Sequence, residues 1–415
     1  MLVKLKDICT IKSSKRIFEK EYVESGIPFI RGKEITDKSI SNPDNKFECY
    51  ISKERFLELK ESFGVPQVGD ILMTAVGTVG NTYYINKQID FYYKDGNVIQ
   101  FTNFSKKINS KYLYFFFNSS LFNFILNNIL IGAVQKALTM DMLKEIEIEL
   151  PSLEIQNKIV NILSNIDNQI ERNNAMTKRL QVLAQTTYSR WFNQFEYPNT
   201  DKELVFNKEL GKEIPKNWSV KKLQDCVEHI TTGLNPRDNF VLNNGNISYI
   251  TVKNLTFDSV LDLSTYDTIN SETKSLINKR SKTDVKDILY ASIAPLGRCY
   301  LIQEEPKSYE INESVFSIRA NKNIISPEYL YLLLKDDYFN TRALNSSMGS
   351  IFKGIRISVL NDFDIIVPDN KTMKSFTNIV SKYLYQLHIT NKETAELVKL
   401  KEKLLPLLIN GQLNI

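Results

Sequence analysis

Histidine and cysteine are scarce in this chain of 415 residues: there are two His, His229 and His388, and four Cys, Cys9, Cys49, Cys226 and Cys299. No Cys-x-x-Cys pair occurs, so neither a disulfide framework nor a zinc site has the local spacing it needs, and the thiols are expected to be reduced and packed in cores. Glycine (15) and proline (12) are too few for a flexible linker protein. Charge of one sign is also lacking, because 53 Lys plus Arg face 48 Asp plus Glu and leave a net +5. Such a balance permits nucleic-acid binding only through local clusters of bases. The charged N-terminus, Met1-Leu2-Val3-Lys4-Leu5-Lys6-Asp7, lacks the apolar run of a signal peptide, and a cytoplasmic protein is expected. The longest apolar stretch, Tyr112 to Val134, is interrupted by Asn118, Asn123, Asn127 and Asn128; it is expected to be a buried helical hairpin, with no membrane association.

What the chain does contain is an internal repeat at an offset of 217 positions. Gly132-Ala133-Val134-Gln135-Lys136 pairs with Gly349-Ser350-Ile351-Phe352-Lys353, Asp70-Ile71-Leu72 with Asp287-Ile288-Leu289, Gly80 with Gly297, Tyr112-Leu113-Tyr114 with Tyr329-Leu330-Tyr331, and Pro151 with Pro368. Before residue 70 the register drifts by a few residues, as where Phe29-Ile30 and Lys33 meet Tyr249-Ile250 and Lys253. Two domain-sized copies make a pseudo-dimer in one chain, able to present two similar but unequal surfaces.

Each copy begins with short strand-like runs: Ile27–Ile30, Asp70–Ala75, Thr82–Ile85 and Val98–Phe101 in the first, Ile247–Ile250, Ile288–Ile293 and Val315–Arg319 in the second. These lead into the apolar hairpin and end at a proline, after which a long helical pattern runs from Pro151 to about Phe195 and from Pro368 to about Asn410. Ile155, Ile159, Ile162, Ile166, Gln169, Asn173, Met176, Leu180 and Leu183 step alternately by four and three. Their partners at the offset are Thr372, Phe376, Ile379, Tyr383, Gln386, Thr390, Glu393, Leu397 and Leu400. Heptad spacing of this kind predicts an intramolecular coiled coil, antiparallel if a two-fold axis crosses its middle, with Gln169, Gln386, Asn173 and Thr390 as a polar central layer. Pro406 is expected to kink or end the second helix. The predicted fold is α+β: two pseudo-symmetric globular domains, 1–150 and 198–367, separated by helical spacer regions, 151–197 and 368–415.

Catalytic signals are weak. Gly77-Thr78-Val79-Gly80 follows a strand but lacks the Gly-Lys-Ser/Thr ending of a phosphate loop and reads as a tight turn needing positive φ. No Asn-Pro-Pro-Tyr/Phe occurs, and neither histidine recurs in the other copy. Pro43-Asp44 with Glu58-Leu59-Lys60 satisfies a loose metal-nuclease pattern that the second copy does not repeat. No catalytic residue, metal site or cofactor is expected in the chain.

The order of globular domain, long helix, globular domain, long helix resembles the DNA specificity subunit of type I restriction-modification systems, over essentially the whole chain. The motifs carrying the resemblance are Gly69-Asp70-Ile71-Leu72 with Gly77-Thr78-Val79-Gly80, the run Pro151-Ser152-Leu153-Glu154-Ile155-Gln156-Asn157-Lys158-Ile159 opening the first helix, and Leu400 to Leu413 closing the second. The second copy departs at Lys286-Asp287 and at Ala294, which puts local loop shape in question. The resemblance implies two target recognition domains, each reading one half of a bipartite asymmetric double-stranded DNA site, with the helices setting the gap and docking partners. Those partners would be two modification subunits, which bind S-adenosylmethionine and methylate adenine, and two restriction subunits, which use ATP and magnesium. Two readings from other classes stay open: a coiled-coil scaffold that never touches DNA, and a self-sufficient DNA nuclease or methyltransferase.

Base reading needs Arg, Lys, Gln, Asn, Ser or Thr on loops that enter a groove, and phosphate contacts need bases and backbone amides. The first domain offers Lys12, Lys15, Arg16, Arg31, Lys33, Thr78, Gln135 and Lys136; the second offers Thr231, Arg237, Lys253, Ser292, Arg298, Lys353 and Arg356. Lys33 with Lys253 and Lys136 with Lys353 rank above the rest, because both copies keep a base there. Coiled-coil or subunit-docking candidates are Ile159, Ile162, Ile166, Gln169, Leu180 and Leu183 on the first helix and Phe376, Ile379, Tyr383, Gln386, Leu397 and Leu400 on the second.

Overall fold

The computed structural model describes residues 1–37, 40, 46–131, 137–198, 203–346 and 354–413. The chain divides into two compact units, Met1–Ile170 with Glu396–Ile415, and Glu171–Ala395.

In the first unit, four antiparallel strands lie in the order Thr10–Lys12, Val98–Thr102, Ile71–Thr74, Thr82–Tyr84. Val98–Thr102 and Ile71–Thr74 are buried at every position, as strands covered on both faces must be. The two-residue period then divides their side chains. Ile71, Met73, Ile99 and Phe101 face a core with Tyr112, Phe116, Phe117 and Phe122 of the helical hairpin, whereas Leu72 and Val98 join Ile30, Ile35, Tyr83 and Tyr93 on the other side. A second sheet, Tyr22–Val23, Tyr50–Ile51, Ile27–Ile30, Tyr92–Tyr93, supplies that other side. The hairpin forms as expected, from helices Ser110–Phe117 and Ser120–Ile131. No helix among the described residues is long and apolar enough to cross a membrane.

The second unit repeats this topology. Its four-stranded sheet runs Val227–Thr232, Val315–Ala320, Ile288–Ala291, Cys299–Leu301, and a three-stranded sheet runs Asp267–Ile269, Ile247–Ile250, Tyr309–Ile311. Ile288, Tyr290, Phe316 and Ile318 face the hairpin formed by Pro327–Lys335 and Asp337–Asn345, while Leu289, Ala291 and Val315 face the smaller sheet. One addition stands out: a β-hairpin, Leu204–Asn207 with Lys212–Pro215, that has no counterpart among the described residues of the first unit.

The turn before each central strand explains the Gly-Asp motif. Gly69 has φ +95° and Lys286, its substitute, keeps the same left-handed backbone at φ +75°. The aspartate that follows is buried in both copies. Asp70 accepts from the Gln67 amide and from Gln100 Nε2; Asp287 accepts from the Asp284 amide and from Arg319 through Nε at 2.6 Å and Nη2 at 2.7 Å. The Asp287 carboxylate accordingly raises the Arg319 pKa above its ordinary value.

Both long helices are present, Leu153–Tyr188 and Asn370–Ile409. In the first unit Ile159, Val160 and Leu163 near the start of the first pack with Leu404, Leu405 and Leu408 near the end of the second, and Lys401 bonds Asp167. In the second unit the order is reversed, with Ala184 and Tyr188 packing with Met373, Phe376, Val380 and Leu384. Each unit therefore holds an antiparallel helix pair, the coiled coil of the predicted fold.

The seam differs in detail from the heptad reading. Ile155, Met176, Leu183 and Leu400 are exposed, as is Gln386, and burial falls on Gln156, Ile159, Val160, Leu163, Asn173, Thr177, Leu180, Ala184 and Tyr188. A strict seven-residue repeat drifts by ~20° per heptad against a helix of 3.6 residues per turn, so over a long helix the buried line moves by about one residue. Ile162, Ile166, Gln169, Ile379, Tyr383 and Leu397 are half-buried and flank the seam, while Phe376 is wholly buried. The polar layer is formed by Asn173, Thr177 and Thr390, whereas Gln386 lies outside and donates to Thr390 Oγ1 at 3.2 Å. Pro406 does not end the helix at its own position; the helix runs on to Ile409, close to the expected end, and the Asn410 amide bonds the Pro406 carbonyl.

Asp287→Ala removes the buried carboxylate partner of the partly buried Arg319 guanidinium and is expected to destabilise the second unit by roughly 3 kcal/mol. Denaturant unfolding followed by Trp191 and Trp218 fluorescence measures this, since both tryptophans sit in that unit's core.

Candidate nucleic-acid interface

At one end of the main sheet, each copy gathers three chain segments by the same backbone hydrogen bonds. In the first, the Leu138 amide bonds the Ala75 carbonyl at 2.9 Å, the Ala75 amide bonds Asn97 O at 2.8 Å, and the Thr74 amide bonds Asn81 O at 2.9 Å. In the second, the Ile355 amide bonds Ser292 O at 2.8 Å, Ser292 bonds Ser314 O at 3.0 Å, and Ala291 bonds Arg298 O at 3.0 Å. Every one of these pairs obeys the 217 offset. The turn after the central strand is therefore clamped between the loop that leads into Val98 or Val315 and the segment that follows residues 132–136 or 347–353.

A third element closes the group. The helix Gly32–Thr36 and the single turn Val252–Asn254 occupy equivalent places, each entered through a buried acceptor that caps its own start: Glu34 accepts from the Arg31 amide at 2.8 Å, and Asn254 from the Thr251 amide at 2.9 Å. Residue 81 or 298 ties this element to the turn. Asn81 Nδ2 donates to Thr36 Oγ1 at 3.1 Å, and Thr36 in turn shares a 2.8 Å bond with Thr78. Arg298 performs the same task with a longer side chain, donating to Val252 O at 2.6 Å, Pro295 O at 3.0 Å and Ile293 O at 3.3 Å. The glycines of the turn have φ +79° at Gly77 and +92° at Gly80, as the tight-turn reading requires. At Gly80 a Cβ would also lie 2.5 Å from Leu126 Cδ2.

The predicted contact residues separate into groups on this frame. Thr78, Arg31 and Lys33 lie on the gathered loops of the first copy, and Lys253 and Arg356 on those of the second. Lys253 and Arg356 are exposed, and no carboxylate among the described residues pairs with Lys253. Ser292 is buried with its hydroxyl donated to Ser314 O at 2.7 Å, and Arg298 donates to three carbonyls of its own chain, so both help to shape the turn. Thr231 sits within a strand, its hydroxyl sharing a 3.0 Å bond with Ser281. Lys12, Lys15 and Arg16 line the end of an edge strand, with Lys15 Nζ 5.4 Å from the Phe63 ring and Arg16 paired with Asp95 at 2.8 Å. Arg237 is exposed on a separate loop. Gln135, Lys136 and Lys353, and the loose Pro43-Asp44 pattern, lie outside the described residues.

Glu48 was not anticipated. Its carboxylate accepts from Lys33 Nζ at 2.6 Å and Arg31 Nη2 at 2.7 Å, and these two bases hold its pKa down at about 2. Arg31 and Lys33 are thereby balanced from within the chain, whereas among the described residues no carboxylate pairs with Lys253. Asn81 and Asn254 were also missed; the 217 offset that pairs Asn81 with Arg298 was the available signal. Among the described residues no group of His, Cys, Asp and Glu is arranged to hold a metal ion. Both His229 and His388 are pushed below the ordinary histidine pKa by burial.

Comparison with known proteins places this arrangement. The family model described as "Type I restriction modification DNA specificity domain" matches residues 1–182 and 215–399. The chain is similar to the type I restriction enzyme MjaIX specificity subunit of Methanocaldococcus jannaschii, 27% identical over 432 residues that cover 99% of this chain and 93% of that protein. It is also similar to the HindI specificity subunit of Haemophilus influenzae, at 21% identity over 66% of this chain and 71% of that one. Among solved structures, the type I restriction-modification S subunit from M. genitalium shares the fold, with a TM-score of 0.61 at 14% identity over 98% of this chain and 95% of the other. With two matched segments that together span most of its length, each carrying the same three-loop end, the chain belongs to the type I restriction-modification DNA specificity family.

Proposed function

We infer that the chain is the DNA-reading subunit of a type I restriction-modification complex, in which each three-loop end meets one half of a bipartite, asymmetric duplex site. The observation that carries this reading is the repetition of one clamped loop frame with different side chains on it. A frame held by identical backbone bonds keeps its position, and the residues it displays are free to differ, which suits two unequal half-sites. Residues 1–150 and 198–367 would form the two recognition domains, and the paired helices would set the gap between half-sites. Catalysis would belong to partners: two modification subunits that methylate adenine from S-adenosylmethionine, and two restriction subunits that use ATP and magnesium. A scaffold that never meets DNA has no use for two cation-bearing loop ends of matched geometry.

On the first face Lys33, Arg31, Thr78, Gln135 and Lys136 would contact DNA, with Lys12, Lys15 and Arg16 reaching flanking phosphates. On the second, Lys253, Lys353, Arg356 and Arg237 take those parts, and Thr231, Ser292 and Arg298 support the loops from behind. Mapping adenine methylation after co-expression with a cognate modification subunit tests the whole reading. A single bipartite motif is the expected result, and an unmethylated genome would refute it.

Two substitutions test the contacts. Lys136→Ala is expected to weaken binding to all sequences and to lower the slope of log K against log salt by about 1, as loss of one phosphate contact does. An unchanged slope across a salt titration of the assembled methyltransferase would remove Lys136 from the interface. Glu48→Gln frees Arg31 and Lys33 for phosphate and is expected to tighten binding about two- to five-fold, a modest gain because exposed ion pairs are weak. The gain should vanish on DNA whose first half-site is scrambled and persist when the second is. Because Glu48 is ionised at any pH above about 2, acidification within the range where DNA binding is measured does not mimic this variant.

A further inference from the structure

The gathered loops of the first copy hold one exposed hydroxyl in a fixed hydrogen-bonding direction. Thr36 Oγ1 has three polar neighbours: Gly32 O at 2.9 Å, Asn81 Nδ2 at 3.1 Å and Thr78 Oγ1 at 2.8 Å. A hydroxyl carries one proton and two lone pairs. The Gly32 carbonyl can only accept, so it takes the Thr36 proton; the Asn81 amide nitrogen can only donate, so it fills one lone pair. What is left for Thr78 is the other lone pair, and Thr78 is therefore the donor in its bond to Thr36. Its proton points into the protein, and the lone pairs of its oxygen are all that it shows outward.

The Thr78 side chain is not needed to shape the turn. The Thr74 hydroxyl bonds the Thr78 carbonyl, the Gly80 amide bonds Thr74 O at 2.9 Å and the Asn81 amide bonds Thr74 Oγ1 at 3.0 Å, so the backbone is set without it. The second copy builds the equivalent turn with Pro295 at this place, which has no polar side-chain atom, and ties its loops through Arg298 instead. Thr78 is exposed, as are Val76 and Gly77 before it, while its partners Thr36 and Asn81 are half-buried.

A group that can only accept selects its ligand. Phosphate oxygens are acceptors themselves and gain nothing from it. The donors that a duplex exposes at its base edges are amino groups: adenine N6 and cytosine N4 in the major groove, guanine N2 in the minor. We propose that Thr78 reads the exocyclic amino group of one base in the first half-site, with Thr36 and Asn81 as the positioning residues that keep its lone pairs outward. The proposal rests on the reading of the chain as a specificity subunit and separates Thr78 from Arg31 and Lys33, whose cations suit phosphate.

The test uses the full chain assembled with its cognate modification subunit, with adenine methylation mapped across a genome. Thr78→Val keeps the shape of the side chain and removes the lone pairs. The motif is expected to become degenerate at one position of the first half-site, with the second half-site unchanged, whereas Thr78→Ser keeps the wild-type motif. At the position that relaxes, duplexes with purine in place of adenine, 2-pyrimidinone in place of cytosine or hypoxanthine in place of guanine lack only the amino group and tell the three sources apart. The wild-type complex is expected to bind the matching analogue about five- to tenfold more weakly than the natural duplex, and the valine variant to bind both equally. Thr36→Val leaves Thr78 in place but releases its proton, and is expected to admit at that position a base presenting an oxygen acceptor; an unaltered motif in this variant counts against the proposal. A Thr78→Val complex with an unchanged motif, or one weakened equally on all sequences, overturns the proposal and leaves the specificity reading intact. So does an equal loss on the analogue in wild type and variant. A wild-type complex that methylates no bipartite motif overturns both.

Discussion

The joint between each globular head and the start of its long helix is the constraint on which the rest of the structure depends. In the first unit it is made by Gln156, wholly buried one turn into the helix. Its amide nitrogen donates to Lys107 O at 3.0 Å and Pro151 O at 2.9 Å, and its oxygen accepts from the Asn109 amide at 2.9 Å. One side chain thus satisfies the loop entering the helical hairpin and the turn entering the long helix together. A buried amide with all these partners fixes orientation as apolar packing alone does not, because a small rotation leaves polar groups unpaired. The second unit reaches the same end by other means. Met373 replaces Gln156, while Tyr329 Oη bonds Ile366 O, Thr377 Oγ1 bonds Ser326 Oγ at 2.8 Å and Asp369 accepts from Trp218 Nε1 at 3.2 Å. With the head fixed on its helix, the position of its loops is fixed as well.

From that joint the division of labour inside each head follows. The strand faces bearing Ile71, Met73, Ile99 and Phe101, or Ile288, Tyr290, Phe316 and Ile318, are spent on the hairpin, and the opposite faces on the smaller sheet. Both broad faces of the main sheet are then consumed by packing. Its end, where the strands turn, carries the loops, and there the backbone bonds from Leu138 to Ala75 and from Ile355 to Ser292 set a frame common to both copies. Side chains supplement that frame in different ways. Arg298 can therefore replace Asn81, tying the third element to the turn through carbonyls where Asn81 uses Thr36.

How much of this was legible beforehand depends on the scale of the signal. The central strands, the hairpins and both long helices were readable because each rests on several residues in a periodic pattern, and the offset of 217 doubled every such pattern. The helix seam was read one residue astray at Leu183 and Leu400, since a fixed heptad accumulates phase error that only packing against a real partner corrects. Site residues were least legible. Ser292 and Arg298 have the right chemistry for DNA but are satisfied inside the fold, and no periodicity distinguishes a donor spent on a carbonyl from one left for a ligand. Glu48 escaped notice because its partners lie 15 and 17 positions earlier, and their meeting depends on the pairing of Ile27–Ile30 with Tyr50–Ile51.

The small net charge of +5 takes on a definite meaning in this setting. A protein that must discriminate sequences gains little from a large positive field, because phosphate attraction strengthens specific and non-specific binding alike. Here Arg31 and Lys33 are held at short distance by Glu48 and Glu34, and Arg16 by Asp95, so part of the cationic charge proposed to meet DNA is balanced within the chain. Exchange of those carboxylates for phosphates is worthwhile only when base contacts on the neighbouring loops form at the same time. Among the described residues no carboxylate pairs with Lys253, so under the proposed reading the second face would offer a cation that is not balanced within the chain. Under the proposed reading, unequal restraint would make the two faces unequal in charge as well as in sequence.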